Sequence, residues 1–338
     1  MSLSSKLTSL NAISPSEQLL KINDYLSSLQ IVMVNTTLPA NIGSAARAMH
    51  TMGLSRLSVV DPKLPIDDTS VSHAAGGSEV LAKVQVVPTL EDAIADCQLV
   101  FAASSRSRHL PRPVVTPTQA AKIMLDFMDS QRQISAKSET SLVNLPNIAI
   151  LFGREDRGLT NEELACADYH IQIDANPNYP VLNVASAVQV IASFIFAYAQ
   201  THHSKTYHSE TYSENSPEGQ DYIGAIAKTT EIKNIDSEDI DIKNTIDKSN
   251  NVNGDDNLTV SPLLNTYIRQ QWDEPAITHQ QLQNLTQRTT DLMVARKLAD
   301  SEHLRSLPAR LSRLGSRLQL DQKEYQLLSA LIAKLSKE

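Results

Sequence analysis

Three segments of the sequence combine small residues with charged side chains in patterns that suit an anionic or nucleotide ligand. The first, NIGSAAR (41–47), has a glycine at position 43 that permits a close approach of backbones, followed by small alanines. Arg47 then lies early in a predicted helix, where its guanidinium group could hold a phosphate or a ribose. A solvent-exposed arginine without a ligand is the alternative interpretation of Arg47.

The second segment, AASSRSRHLPRP (102–113), begins with small side chains that leave room for a ligand against backbone N–H groups. Its three arginines, Arg106, Arg108 and Arg112, suit an anionic partner. We therefore predict that this arginine-bearing loop forms part of a face that binds an anionic partner.

The third segment, LFGREDRGLTNEEL (151–164), places four charged residues between the glycines at positions 153 and 158. Thr160 is a favourable N-cap for the helix that follows. Each of the three segments is a weak signal by itself, and it is their combination that favours a ligand site.

Several common sites are excluded by the residues that the chain lacks. It has ten glycines, yet none of them forms G-x-G-x-x-G after the first predicted strand, and there is no G-x-x-x-x-G-K-[ST] or H-E-x-x-H. Two cysteines, Cys97 and Cys166, cannot make a disulfide framework or a four-cysteine zinc site, so both are predicted to be small buried residues. No metal site is predicted.

The elements that must position these segments follow from the hydrophobic pattern. Continuous apolar runs are typical of strands covered on both faces of a parallel sheet. The predicted strands are residues 31–35, 56–61, 84–87, 98–104, 147–153 and 170–173. The predicted helices are residues 41–52, about 72–82, 90–96, 116–130, 160–166 and 183–200. The fold class is therefore α/β, and its ligands should bind beyond the carboxyl ends of the strands.

The longest apolar stretch, residues 184–199, is interrupted by Gln189 and two serines. It is shorter than the ~20 residues that cross a bilayer. We predict a helix buried inside the protein or at a subunit contact, no membrane association and a cytoplasmic protein.

The formal net charge of −8 is unevenly distributed along the chain. Residues 1–200 have a balance of −4, residues 201–263 of −7 and residues 264–338 of +3. The acidic middle has too few apolar residues to offset the entropy of ordering. The predicted parts are an N-terminal extension (1–29), an α/β domain (30–201), an acidic linker (202–260) and a small all-α basic domain (261–338).

The last of these parts has leucines at steps of three and four residues from 304 to 318, with arginines between them. One interpretation is a small helical bundle whose arginines form its solvated face. The other is a basic helical module that contacts phosphate groups.

Taken in order, NIGSAAR (41–47), LFGREDRGLTNEEL (151–164) and NPNYPVLNVASAVQV (176–190) resemble the motifs of the SpoU, or TrmH-like, branch of the SPOUT RNA methyltransferases. The similarity covers residues 30–200. Within that branch, SSRSRHLP (104–111) and the helical C-terminus are most similar to the enzymes that methylate the ribose 2′-hydroxyl of cytidine or uridine 32 in the tRNA anticodon loop.

This resemblance implies an α/β domain whose C-terminal portion forms a trefoil knot, with S-adenosylmethionine as the methyl donor. It also implies tRNA as the substrate and a homodimer with active sites near the subunit interface. Methylation of ribosomal RNA or of another tRNA position is the alternative within the same chemistry. A knotted RNA-binding protein without activity is the alternative from another class.

The resemblance also assigns residues by motif position, with Arg47 as the catalytic arginine. The residues expected at the cofactor are Ala103, Ser104, Ser105, Gly153, Ile173, Pro180, Val181 and Leu182. Those expected to shape the site or bind RNA are Asn41, Arg106, Arg108, Arg154, Glu155, Asn183, Arg310, Arg313 and Arg317. The sequence departs from the motifs in its Ala-Ser-Ser order at 103–105 and its apolar Pro180-Val181 pair, which favours cofactor contacts through backbone atoms.

Overall fold

The computed structural model describes residues 22–104, 112–137, 145–176, 178–211, 269, 272–300, 304 and 306–337. The chain divides into two units, one made of residues 1–200 and 264–338 and the other of residues 201–263. The functional residues described below all belong to the first unit.

Seven parallel strands form a single sheet, as the continuous apolar runs predict. The strands are β1 (Leu29–Val34), β2 (Arg56–Val60), β3 (Gln85–Val87), β4 (Cys97–Ala103), β5 (Val114–Val115), β6 (Asn147–Phe152) and β7 (Tyr169–Ile171). Their order across the sheet is β3-β2-β1-β6-β4-β7-β5, and every neighbouring pair is parallel. The sequence pattern predicts six of them, but β5 has only two residues, too few for a periodic signal.

Helices cover the sheet and continue into the C-terminal part. They are α1 (Pro39–Thr51), α2 (Asp68–Ala74), α3 (Ser78–Ala82), α4 (Leu90–Ile94), α5 (Pro117–Lys137), α6 (Asn161–Ala165), α7 (Val184–Thr211), α8 (His279–Ala295), α9 (Leu307–Leu318) and α10 (Gln322–Leu335). Thr160 caps α6 as predicted, because its hydroxyl accepts the Glu163 N–H at 3.2 Å while the Glu163 carboxylate accepts the Thr160 N–H at 2.7 Å.

The single helix predicted over residues 72–82 is wrong, since two helices, α2 and α3, occupy this region. A 3₁₀ turn joins them, and Ala75 at its start has a φ of +44°. Gly77 lies directly against α1, where a Cβ atom would come within 2.6 Å of the Ala46 carbonyl oxygen. Close packing of this turn on α1, rather than helical periodicity, therefore decides its conformation.

Helix α7 packs on the sheet through Val188, Ile191 and Ile195, which are fully buried in the main core. Within the described part of the chain, the window Val184–His202 is long and apolar enough to cross a membrane by length and composition alone. Its buried face agrees with the prediction of a helix inside the protein.

Strand β7 is inserted between β4 and β5, which follow each other in the sequence. Tyr169 pairs with Phe101 of β4, and His170 pairs with Val114 of β5. A later part of the chain therefore separates two consecutive strands. This insertion, together with the β4–β6 pairing, brings the carboxyl ends of β4, β6 and β7 to one place.

The segment before α8 attaches the C-terminal helices to the sheet domain. The side-chain oxygen of Gln131, on α5, accepts the backbone N–H of Ala276 at 2.7 Å. Trp272 packs edge-on against Phe127, with 5.9 Å between ring centroids. Ala276 is part of the main core, so the attachment is apolar as well as hydrogen-bonded.

Candidate active site

A cleft with about 850 Å³ of empty space, including its open mouth, lies at the carboxyl ends of β4, β6 and β7. Parallel α/β sheets bind ligands at this edge. The predicted cofactor residues that line it are Ala103, Ser104, Gly153, Ile173, Pro180, Val181 and Leu182. Ser105, the remaining one, lies outside the described residues.

The loop after β6 folds back on itself so closely that position 153 requires a glycine. A Cβ atom there would lie 2.2 Å from the Gly158 carbonyl carbon and 2.2 Å from the Leu159 nitrogen. Gly158 has a φ of +69° and donates its N–H to the Arg154 carbonyl at 2.8 Å. The two glycines therefore close a tight loop whose residues form one wall of the cleft.

Glu155 holds the start of α1. One carboxylate oxygen accepts the hydroxyl and the N–H of Thr37 at 2.7 and 3.1 Å. The other accepts the Asn41 amide at 2.7 Å and the Leu38 N–H at 3.4 Å. Burial opposes ionisation of Glu155, but the hydrogen bonds from Asn41 and Thr37 outweigh it and lower its pKa. No motif signal in the sequence points to Thr37, which only the fold brings to Glu155.

Asn183 connects this network to the third motif. Its amide donates to the Asn41 side-chain oxygen at 3.0 Å. Its own side-chain oxygen accepts the N–H of Ala185 at 2.9 Å, in the first turn of α7. Asn41, Glu155 and Asn183 come from three distant segments, and the fold joins them in one hydrogen-bonded chain.

Charged side chains of the same loop after β6 also line the cleft. The Arg154 guanidinium pairs with the Asp156 carboxylate at 3.0 Å, and Arg157 pairs with the same carboxylate at 3.2 Å. Arg154 is one of the predicted RNA-contacting residues, and in this structure its partner is Asp156. An RNA phosphate must therefore compete with that carboxylate.

The placement of Arg47 early in its helix is wrong. Helix α1 begins at Pro39, so that Arg47 is its ninth residue and lies in the third turn. A helix N-terminus therefore cannot assist Arg47 in binding an anion, because that effect fades after the first turn. Arg47 is exposed, and the described residues that line the cleft do not include it.

The expectation that Arg112 belongs to a face that binds an anionic partner is also wrong. Arg112 is 6% exposed, and its guanidinium donates to the Ala165 carbonyl at 2.8 Å. Burial lowers its pKa, an effect that Asp168 opposes. Arg106 and Arg108 lie outside the described residues. Sequence alone does not distinguish Arg112 from these two, since all three occupy the same polar loop.

The remaining predicted RNA residues, Arg310, Arg313 and Arg317, lie on α9. Both Arg310 and Arg317 are exposed, and Arg313 is half-buried. None of these three lines the cleft among the residues described there. Helix α9 therefore forms a basic surface separate from the cleft.

The cleft fits a nucleoside-containing cofactor. Apolar walls from Ile173, Val181 and Leu182 suit an adenine ring, and Asp156 adds a carboxylate. The glycines of the β6 loop bring backbone close to the space. Among the described residues, no group of three or more His, Cys, Asp or Glu side chains could hold a metal ion.

Fold and cleft together define a parallel α/β domain with a ligand site at a topological crossover of its strands. Residues 28–193 match the SpoU rRNA Methylase family. This part of the chain therefore belongs to the SpoU methylase family, as its three motifs predict. S-adenosylmethionine, the predicted cofactor, is the methyl donor of that family.

Named relatives refine the comparison. The chain is 46% identical over 167 residues to "tRNA (cytidine/uridine-2'-O-)-methyltransferase TrmJ" of Citrobacter koseri, which covers 49% of this chain and 63% of the relative. Identity to the protein of the same name from Escherichia coli O6:K15:H31 is 44%, over 49% and 62% of the two chains. The chain thus spans less than two thirds of these relatives.

A solved structure extends the similarity of fold. The crystal structure of TrmJ from Z. mobilis ZM4 matches with a TM-score of 0.59 and 21% identity, over 91% of this chain and 98% of that one. At this identity the match concerns the fold alone. It includes the C-terminal helices, which lie beyond the segment shared with the curated relatives.

Proposed function

We propose that this protein is an S-adenosylmethionine-dependent tRNA methyltransferase acting on a ribose 2′-hydroxyl, with cytidine or uridine 32 of the anticodon loop as its target. The observation that supports this most directly is the hydrogen-bonded chain Glu155–Asn41–Asn183, which joins all three motifs beside one cleft. The names of the 44–46% identical relatives supply the tRNA and the 2′-oxygen.

In this proposal the cofactor lies against the residues that follow β4, β6 and β7. Ala103 and Ser104, Gly153, and the segment from Pro180 to Leu182 hold it, largely through backbone atoms because their side chains are small or apolar. S-adenosylmethionine supplies an electrophilic methyl group on a sulfonium. The protein's task is then to place the ribose hydroxyl oxygen in line with that methyl carbon.

Arg47 acts in this proposal as an orienting and electrostatic group. A guanidinium group holds its proton strongly in proteins, so an arginine is a poor general base. Its guanidinium group instead binds the ribose and a neighbouring phosphate and stabilises the alkoxide that develops, while the hydroxyl proton passes to an oxygen of that RNA phosphate or to water. Glu155 is an equally poor base, because its carboxylate already accepts four hydrogen bonds.

The proposed enzyme is a knotted homodimer. The insertion of β7 between β4 and β5 supports a threaded chain, because a later strand lies between two strands that are consecutive in the sequence. The apolar side chains of Val181 and Leu182, which line the cleft, are 50% and 39% exposed, and Phe194 of α7 is 42% exposed. In the proposal a second copy covers apolar surface of this kind and supplies its Arg47 to the cleft.

The basic helices complete the proposal. The C-terminal part (261–338), with Arg310, Arg313 and Arg317, binds tRNA phosphates together with Arg106 and Arg108, and the protein acts in the cytoplasm. The acidic total charge does not oppose this, because local patches set the field that an RNA meets.

Ribosomal RNA is the second candidate substrate, favoured by the description of the matching family. Nucleoside mass spectrometry distinguishes the two candidates. Purified protein is incubated with S-adenosylmethionine and either total tRNA or ribosomal RNA, and fragments are mapped. A new 2′-O-methyl mark on tRNA nucleotide 32 is the expected result, whereas a mark only on ribosomal RNA would contradict the proposal.

Arg47→Ala tests the assignment of the catalytic group. We expect methyl transfer to fall below detection, while the Kd for S-adenosylmethionine in calorimetry stays within about twofold, since Arg47 does not line the cleft of its own chain. Lys83→Ala, at an exposed position on the same domain, is the control. A large loss of cofactor affinity in Arg47→Ala would count against the role given to Arg47.

A further inference from the structure

A second cavity lies at the opposite end of β4 from the cleft. It contains about 510 Å³ of empty space, including its open mouth. Residues 97–100 at the amino end of β4, the start of α8 and the end of α9 form its sides. Among the described residues, the cavity and the cleft share no lining residue, so the proposed methyl transfer gives this second cavity no role.

The walls of the second cavity are mostly apolar. Trp272 and Phe127 both line it and pack edge to face, with 5.9 Å between ring centroids. The Trp272 indole N–H already donates to the Arg269 carbonyl at 2.6 Å, so the ring offers apolar surface to the cavity. Leu282 and Leu320 add aliphatic side chains. Apolar walls with a small number of polar groups are typical of sites for small molecules.

His279 is the observation that points to a ligand in this cavity. Its side chain lines the cavity and is only 9% exposed. Among the residues that the structure describes, its Nε2 atom has no hydrogen-bond partner. Leaving a buried polar atom unpaired costs free energy, and folded proteins supply a partner for nearly all such atoms. The cavity is therefore the place from which a partner for Nε2 can come.

Asp168 supplies a second polar group to the same cavity. One of its carboxylate oxygens accepts the Val100 N–H at 2.9 Å. Within the described part of the chain, its other oxygen has no hydrogen bond. A carboxylate oxygen accepts hydrogen bonds and does not donate them, so a ligand here needs a donor group opposite Asp168.

The charges around His279 nearly balance. Burial lowers its pKa, an effect that Asp168 and Glu91 oppose and that Arg112 strengthens. Arg313 in turn acts on Arg112 with a second positive charge. The imidazole is therefore neutral near pH 7, so Nε2 can donate or accept one hydrogen bond. Two acidic and two basic groups favour neither an anion nor a cation, so an uncharged ligand fits best.

We propose that this cavity binds an uncharged, amino-bearing nitrogen heterocycle of nucleobase size, such as free cytosine or its nucleoside. The amino group donates to the Asp168 carboxylate, and the neighbouring ring nitrogen accepts the Nε2–H of His279. A carboxylate is a known acceptor for the amino group of cytosine. The ring packs against Trp272 and Phe127. This inference is independent of the methyl transfer proposed above.

Cytosine and uracil are matched probes, since an amino group of the first is replaced by a carbonyl oxygen in the second. Trp272 is the only tryptophan of the chain, so its fluorescence reports on this cavity and not on the cleft. The full chain is titrated with each base near neutral pH. We expect cytosine to quench Trp272 with a Kd of about 1 mM or lower. Uracil should bind about tenfold more weakly, because its carbonyl oxygen would face a carboxylate.

Two variants test the two polar groups. Asp168→Asn keeps an acceptor for the Val100 N–H and presents an amide donor to the ligand, so the preference should reverse and uracil should bind about tenfold more tightly than cytosine. His279→Leu removes Nε2 and should weaken both bases on the order of tenfold. Asp24→Asn and His73→Leu, at exposed positions, are the matched controls and should bind as the unchanged protein does.

Three results would overturn the inference: no quenching by either base, equal binding of cytosine and uracil, or an unchanged preference in folded Asp168→Asn. Quenching by a cytidine oligonucleotide but not by cytosine or cytidine would also overturn it, because the ligand would then be RNA. Thermal melting shows whether each variant is folded. If Asp168→Asn does not fold, the comparison of the two bases on the unchanged protein and on His279→Leu decides.

Discussion

The sheet domain and helix α9 use apolar residues in opposite ways. All six residues of β1 are buried, whereas none of the twelve residues of α9 is. Leu29 of β1 is 0% exposed, and Leu314 of α9 is 51% exposed. The sheet uses its apolar residues to fix the cleft in place, while α9 keeps a leucine and arginine surface open to solvent. Residues of the sheet domain are therefore selected for packing, and those of α9 for contact with a partner.

A matched pair of leucine truncations should give the largest difference between the two regions, measured as the free energy of unfolding. Leu29→Ala removes a fully buried side chain from the core, and we expect a loss of about 2–5 kcal/mol in the free energy of unfolding. Leu314→Ala should cost less than about 0.5 kcal/mol, because its side chain already meets water. Urea denaturation followed by circular dichroism measures both. Similar losses of stability in the two variants would show that the Leu314 side chain is buried in solution.

The next largest difference is expected between substitutions of two neighbouring carboxylates of the cleft, Glu155 and Asp156. Glu155→Gln places an amide against the donors of Thr37 and Asn41. We expect the free energy of cofactor binding to weaken by about 1–3 kcal/mol, which is roughly 10- to 100-fold in affinity. Asp156→Asn affects an exposed pair with Arg154 and should change that affinity less than about fivefold.

Calorimetric titration with S-adenosylmethionine measures both carboxylate variants. Thermal melting of each variant shows whether the whole domain remains folded. If Asp156→Asn loses more affinity than Glu155→Gln, the cofactor depends on the acidic charge in the cleft rather than on the network that orders α1.

A smaller effect concerns pH. Burial lowers the pKa of His170 and of His279 from the ordinary value of 6.5. As the pH falls, the unfolded chain therefore takes up protons before the folded chain does. The free energy of unfolding should fall below about pH 6.5, by at most about 1.4 kcal/mol per pH unit for each histidine. The lowered pKa of Glu155 acts in the same direction but at lower pH, since its contribution to stability is present above about 4.5 and is lost as the pH falls below that value.

Denaturation at pH 7.5 and pH 5.5 checks this dependence. His279→Gln should reduce the difference between the two values, and His73→Gln, at an exposed position, should leave it unchanged. The measurement uses the difference between two pH values, so a general loss of stability in His279→Gln does not obscure it. An unchanged difference would show that His279 titrates alike in the folded and unfolded chain.

Much of the fold is predictable from local sequence. Six of the strands and the cap at Thr160 follow from apolar runs and a hydroxyl before acidic residues, which act over a few residues. The division of α2 from α3 does not, because contact of Gly77 with α1 decides it. Nor does the burial of Arg112, which depends on a carbonyl 53 residues away.

The site shows the same division between what is local and what is not. The sequence by itself determined which segments form the cleft, because glycines and small side chains are needed wherever the backbone approaches a ligand. Only the tertiary structure decided that Thr37 and Asn41 meet Glu155, more than a hundred residues away in the chain. It also decided that α9 lies at the far end of β4. Pairings of this kind depend on the order of strands in the sheet, which no short segment of the chain encodes.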